Sequence, residues 1–270
     1  MPDVIIRPAR IGDGPGIVAA IRNGFDATFV ELFSYGCHGI TDFVEDQIRA
    51  RELGCETTYT VADSEGDLAG CVEMRLRRRT VFLNQISVLP AWRSSGLGRT
   101  LLKAGVEQDL GLDCCEIHLD VLDDNHVARR WYERLGFTLV GTTVWWEVPL
   151  GPPSSRDYAL GGWPQAEACH CRFGFSEFTL LTGHGEHRVG RLGSKWFRLV
   201  ELSALQDPAC TMALARLDPG RRVLAVLPEG SLPSGIAGRS KQLARTLRMA
   251  MDLDSLKVRL MASAKAERGR

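Results

Sequence analysis

The stretch I-S-V-L-P-A-W-R-S-S-G-L-G-R-T-L-L, residues 86–102, decides how the chain is read. Its first residues close a β-rich run that starts at Thr80, and Pro90 stops that run. A loop with Gly96 and Gly98 follows, then a helical pattern that reaches Leu110. Strand, glycine loop and helix in this order gather unpaired backbone N–H groups and the positive end of a helix dipole at one spot. Such a spot suits a phosphate, because the glycines let backbone close on an anion and Arg93 and Arg99 bring positive charge. No G-K-[S/T] follows the glycines, which excludes a nucleoside-triphosphate loop, and only two of the three glycines of a dinucleotide fingerprint are present.

On both sides of this stretch, strand and helix patterns alternate. Strands are expected at 4–10, 57–62, 68–76, 80–88 and 116–122, with short ones at 138–140 and 144–148. Helices are expected at 13–29, 41–53, 98–110 and 125–135. The last of these carries a second distinctive segment, N-H-V-A-R-R-W-Y-E-R-L-G-F, residues 125–137. Asn125, Ala128 and Tyr132 stand at i, i+3 and i+7 and therefore share one helix face.

The two segments together resemble the GCN5-related N-acetyltransferases. Val88, Pro90, Arg93, Gly96 and Gly98 match a strand ending in V-x-P followed by R-x-x-G-x-G. Asn125, Ala128, Tyr132, Gly136 and Phe137 match the family's N-x-x-A-x-x-x-Y-x-x-x-G-F helix, and the opening I-R-P-A-R-I-G-D is similar to a common start. The resemblance covers about residues 4–148 and implies an α/β (α+β) fold with a mixed, splayed central sheet flanked by helices. It implies acetyl-CoA as co-substrate and no metal. Cofactor contacts are implied at Ile86, Ser87, Val88, Arg93, Ser94, Ser95, Gly96, Leu97, Gly98 and Arg99, with Asn125 and Ala128 along the pantetheine arm.

It also implies direct attack of a primary amine on the thioester, with the oxyanion met by backbone N–H groups near Val88 and Tyr132 as the acid for the departing thiolate. Many members carry a glutamate on the strand before the loop. Here that strand reads Phe82, Leu83, Asn84, Gln85, Ile86, so Glu73 on the neighbouring strand is the substitute, with a water relay as rival. The acceptor is expected to be a small-molecule amine. A non-catalytic acyl-CoA-binding sensor or partner-binding subunit, or a transferase using a longer acyl-CoA, stays open beside this reading.

Composition bounds the rest. The chain has 270 residues, 44% hydrophobic and 24% charged, with 33 basic against 33 acidic side chains. A zero net charge gives no field to attract nucleic acid or anionic membrane. Residues 1–150 hold 15 Lys plus Arg against 22 Asp plus Glu, and residues 151–270 hold 18 against 11. That contrast, and the linker-like G-P-P-S-S-R-D-Y at 151–158, suggest domains at 1–150 and 159–270. Eight cysteines without scaffold spacing and no apolar leader or spanning segment fit a cytoplasmic protein with reduced thiols.

The second half reads as a smaller, β-rich α+β lobe of unknown role that covers the acceptor site or builds a homodimer. Strands are expected at 172–182, 195–202, 211–217 and 222–227, and helices at 240–251 and 255–265. V-L-P at 226–228 and S-G-I-A-G-R at 234–239 repeat the letters at 88–90 and 95–99, by chance similarity of short strings or as a degenerate second copy. Cys169, Cys171, His184 and His187 come close to zinc-finger spacing, though without the expected helix.

Overall fold

The computed structural model describes residues 3–108, 114–152 and 158–267. The expected helix end at Leu110, most of the linker at 151–158 and the last three residues lie outside these. In chain order the first half runs β1 (Ile5–Pro8), α1 (Gly14–Arg22), α2 (Ala27–Val30), α3 (Ile40–Arg49), β2 (Thr57–Ser64), β3 (Asp67–Arg77), β4 (Thr80–Val88), α4 (Leu97–Glu107), β5 (Glu116–Leu122), α5 (His126–Leu135) and β6 (Thr138–Val148). The second half runs β7 (Ala159–Gly161), α6 (Trp163–Phe173), β8 (Phe175–Thr182), β9 (Gly185–Leu192), β10 (Trp196–Leu199), α7 (Leu202–Gln206), α8 (Pro208–Leu217), β11 (Arg222–Pro228), α9 (Ser234–Ala237), β12 (Lys241–Asp252) and α10 (Leu253–Glu267).

Two compact units form, and they do not divide at one linker. The first takes Met1–Asp26, Thr41–Gly141 and Leu247–Arg270, and the second takes Ala27–Ile40 and Thr142–Thr246. The expected boundary near 150 is therefore corrected: β6 and β12 each change unit along their length, and the C-terminal segment returns to the first unit. The charge contrast changes with it. The first unit holds 21 Lys plus Arg against 23 Asp plus Glu and the second 12 against 10, so neither is strongly charged.

The first unit has the mixed sheet the sequence implies, in strand order β1-β2-β3-β4-β5, then β12 and the start of β6. Strands β1 to β4 pair antiparallel, and β4 with β5 is parallel. One face of β3, β4 and β5 presents Val72, Met74, Val81, Leu83, Ile117 and Leu119 to a core shared with Leu101 and Leu102 of α4 and Leu135 of α5. Leu247 and Met249 of β12 and Leu256 and Leu260 of α10 complete that core.

The segment at 240–251 was expected to be helical and is a strand. Its helix-favouring letters are overruled because Leu247 and Met249 fit the period-2 face of a strand lodged between β5 and β6. The short strands expected at 138–140 and 144–148 are one strand, β6.

In the second unit β8, β9 and β10 pair antiparallel, and β10 then runs parallel to β11 after the helices α7 and α8. This repeats the order β2, β3, β4, helix, β5. The expected strand at 211–217 is the helix α8 instead, started by Asp207, whose carboxylate accepts from the Ala209 amide at 2.8 Å, with Pro208 in the first turn. Cys210, Ala213 and Leu214 then fall on its buried face. Likewise the strand expected from 172 begins only at Phe175, after the helix α6.

Leu256 lies at the back of the first unit's core with no exposed surface, so Leu256→Ala should cost about 2–5 kcal/mol. Urea unfolding of the full chain checks this; an unchanged midpoint would mean that α10 is not part of that core.

Candidate active site

Strands β4 and β5 stay in register for four rungs, from Thr80↔Glu116 to Leu83↔Leu119, and no rung follows among the described residues. Strand β4 itself continues to Val88 against β3, so its far edge opens away from β5. At the parting point a bulge puts Asn84 opposite no residue of β3, because Glu73 pairs with Gln85 and Met74 with Leu83. The extra residue inverts the alternation. Val81 and Leu83 face the α4/α5 core before the bulge, and Ile86 and Val88 face it afterwards. Ser87 is turned to the opposite side, where its hydroxyl donates to the Ala20 carbonyl of α1 at 2.5 Å.

The strand leads into a single 3-10 turn at Pro90–Trp92 and then the glycine loop. Ser94 and Gly96 have φ of 63° and 85°, so the backbone curls in left-handed conformations that cost a side chain strain at 94 and none at Gly96. The Ser95 hydroxyl donates to the Trp92 carbonyl at 2.6 Å and accepts from the Leu97 amide at 3.4 Å. The Ser94, Gly96 and Gly98 amides find no backbone acceptor among the described residues. With Gly96 as N-cap of α4, these amides lie at the positive end of an eleven-residue helix. A Cβ built on Gly98 would meet only Val88 Cγ2 at 3.7 Å and Trp131 Cζ2 at 4.0 Å, so packing within the chain does not demand glycine there.

The arginines are placed differently from each other. Arg93 turns back on its own strand: Nε donates to the Val88 carbonyl at 3.1 Å and Nη2 lies 3.5 Å from Asn23 Oδ1. It braces the loop. Arg99 sits in the first turn of α4, and its Nη2 donates to the Arg259 carbonyl of α10 at 2.5 Å.

On α5 the Asn125 side chain is the helix cap, accepting from the Ala128 amide at 3.1 Å. The pantetheine contact implied for it would therefore fall to its NH2 group. Ala128 and Trp131 pack on the first unit's core, and Tyr132 is buried, with its ring 4.9 Å from Trp131 and 5.6 Å from Phe137. Burial pushes the Tyr132 phenol well above its ordinary value, so it stays protonated.

Glu73 lies in a cross-strand row with Tyr59 and Gln85 and has no exposed surface; Arg75 holds its Oε1 at 2.8 Å. The face it shares also carries polar residues of β5. His118 and Asp120 alternate with the apolar residues of β5, which puts them on the face away from α4 and α5. Asp120 is the first β5 residue beyond the last rung with β4, and it pairs with Arg248 of β12.

In the second unit Cys169 and Cys171 are exposed on α6, while the His184 and His187 rings approach the Asp207 carboxylate at 3.2 and 2.8 Å. The four do not gather, which removes the zinc-finger spacing, and no group of three or more metal-ligating side chains is found among the described residues. Trp145 packs on Phe29, and Trp146 lies against the core with Phe197 and Val223, so both are structural.

Comparison with known proteins agrees with this geometry. Residues 21–137 match the model of the Acetyltransferase (GNAT) family. Mycothiol acetyltransferase of Nocardiopsis dassonvillei is 44% identical over 66 residues, which cover 24% of this chain and 19% of that relative's length. Thialysine N-epsilon-acetyltransferase of Bos taurus is 29% identical over 154 residues, covering 50% of this chain and 85% of that one. Among solved structures, a tandem GNAT protein from the clavulanic acid biosynthesis pathway shares the fold over 93% of this chain and 99% of its own, with a TM-score of 0.57 and 13% identity. Residues 21–137 of this chain carry the match to the GNAT acetyltransferase family.

Proposed function

We propose that the chain is an acetyl-CoA-dependent N-acetyltransferase with one working site, in the first unit, acting on a primary amine of a small molecule. The observation that carries this is the parting of β4 and β5 beyond Leu83↔Leu119, directly followed by a loop with open amides at a helix start. The diphosphate sits on the Ser94, Gly96 and Gly98 amides, and the pantetheine arm runs down the opened edge of β4 past Ile86 and Val88. Ser95 and Arg93 hold the loop in shape, and Leu97 anchors the helix start in the core.

The amine nitrogen attacks the thioester carbonyl carbon. Negative charge on the carbonyl oxygen is met by an amide on the unpaired edge of β4, with Val88 as donor. As the C–S bond breaks, Tyr132, protonated in the resting site, gives its proton to the CoA thiolate. The ammonium must first lose a proton. Glu73 is closed to solvent and paired with Arg75, which favours its rival, a water relay, as the route for that proton.

The second unit is a copy of the same topology without the cofactor site. Strand β10 has four residues, all in register with β11, so no edge opens. Only Val200 and Glu201 separate it from α7, and a carboxylate in the N-cap position opposes an anion. The tandem arrangement named for the clavulanic acid pathway protein supports this reading of the second unit.

Calorimetry with acetyl-CoA on the full chain tests the cofactor site, and uptake is expected. Gly98→Ala should keep or raise stability by about 0.5–1 kcal/mol, since alanine suits a helix better, while weakening acetyl-CoA about tenfold or more. Unchanged affinity would show that the loop does not hold the diphosphate. Tyr132→Phe should slow thiol release about a hundredfold with little change in cofactor affinity.

The same variant predicts a pH effect on stability. A phenol whose folded pKa lies above 10.0 favours folding fully below that pH and progressively less above it, as the unfolded chain ionises first. Between pH 9 and 11 the wild type should therefore lose stability relative to Tyr132→Phe. Parallel urea midpoints over that range would contradict the burial.

A further inference from the structure

On the face of the first unit away from α4 and α5, three side chains converge where β4 and β5 part. Phe82 lies on β4, one residue before the last rung, and pairs with His118 of β5. Asp120 lies just beyond that rung. Arg248 comes from β12, more than a hundred residues later in the chain, and is brought beside β5 by the strand order. Each alternates with core residues: Phe82 with Val81 and Leu83, Asp120 with Leu119 and Val121, Arg248 with Leu247 and Met249. All three therefore share the opposite face.

The guanidinium of Arg248 lies 5.1 Å from the centre of the Phe82 ring. Its Nε and Nη2 both donate to the Asp120 carboxylate, the latter at 2.8 Å. The pair is open to solvent, with 41% of the Arg248 side chain and 31% of the Asp120 side chain exposed. A guanidinium has five N–H donors, so two spent on Asp120 leave the Nη1 edge for another acceptor. Asp120, in turn, can take a further donor through its remaining lone pairs.

From this arrangement we infer that the acceptor is an amino acid or a close relative, an amine that carries a carboxylate. The inference rests on the acetyltransferase reading, which lays the pantetheine arm along Ile86 and Val88 and so leaves the Phe82 face for the acceptor. The carboxylate is received by Arg248 at Nη1, while the amino group lies near Asp120 at the open end of the strands. Phe82 forms an apolar floor that fixes the guanidinium plane, as a cation over an aromatic ring does. Arg248 is a specificity residue and Asp120 a positioning residue. The specificity element thus comes from outside residues 21–137, the part of the chain that matches the family.

The test uses the full chain, acetyl-CoA and matched acceptors that differ by one carboxylate: L-phenylalanine with 2-phenylethylamine, L-lysine with 1,5-diaminopentane, and further amino acids with their decarboxylated amines. Thiol release gives kcat/KM for each. In the parent, the carboxylate-bearing member of a used pair should lead by about tenfold or more. Arg248→Gln should shrink that ratio through KM, and Arg248→Lys, which keeps the charge but not the fork, should restore part of it. Asp120→Asn should leave the carboxylate preference standing while lowering turnover of both members. Acetyl-CoA uptake by calorimetry accompanies each variant, so a misfolded sample is recognised.

A parent that prefers the decarboxylated amines overturns the inference, as does an Arg248→Gln variant with an unchanged ratio. A chain that binds acetyl-CoA but acetylates no amino acid in the set also overturns it, leaving the cofactor site intact. Failure to bind acetyl-CoA at all would fall on the acetyltransferase reading instead.

Discussion

The site depends on two parallel strands that cease to pair. Between Thr80 and Leu83, β4 spends its outer edge on β5; from Asn84 onward that edge is released. Backbone amides inside a sheet are normally satisfied, so a released edge next to a core is costly unless something else uses it. The Asn84 bulge makes the release possible without exposing the core. It shifts the alternation by one, so that Ile86 and Val88 keep the apolar face closed while Ser87, on the other side, turns toward α1. The glycine loop then finds its amides at the mouth of the opening rather than on an open surface.

The elements that build the opening were legible in the sequence, because each has a local signature. The bounds of β4 and β5 were read correctly to the residue, Pro90 closed the strand, and Gly96 and Gly98 announced the loop. Position 125 has a use besides the pantetheine contact that the resemblance implies: a lone Asn before a helix is first of all a cap, and its Oδ1 serves the Ala128 amide. The bulge could not be read, since it shows itself only through the partner strand.

Non-local placement was not legible either. Residues 241–252 carry helix-favouring letters, and only the vacancy between β5 and β6 makes them a strand. For the same reason the charge contrast between halves was an artefact of cutting at 150, as the basic C-terminal segment belongs with the acidic first part. The helix α8 is a different case. Asp207 and Pro208 were a readable start signal ahead of an alanine-rich run, and β-like expectations for the lobe obscured it. The repeated V-L-P letters do not mark equivalent strands, because they end β4 in one unit and β11 in the other, whereas the strand equivalent to β4 by pairing is β10.

The route of β12 has a consequence for biosynthesis. Strand β5 ends at Leu122, and the strand that lies beside it in the first unit begins at Leu247, about 125 residues later. A ribosome making this chain exposes the edge of β5 for the whole of that interval, and at typical elongation rates this lasts about 6–25 seconds. During that time the nascent polypeptide offers an unprotected strand to neighbours, so demand for chaperones should peak before translation of the final segment and fall sharply once it emerges.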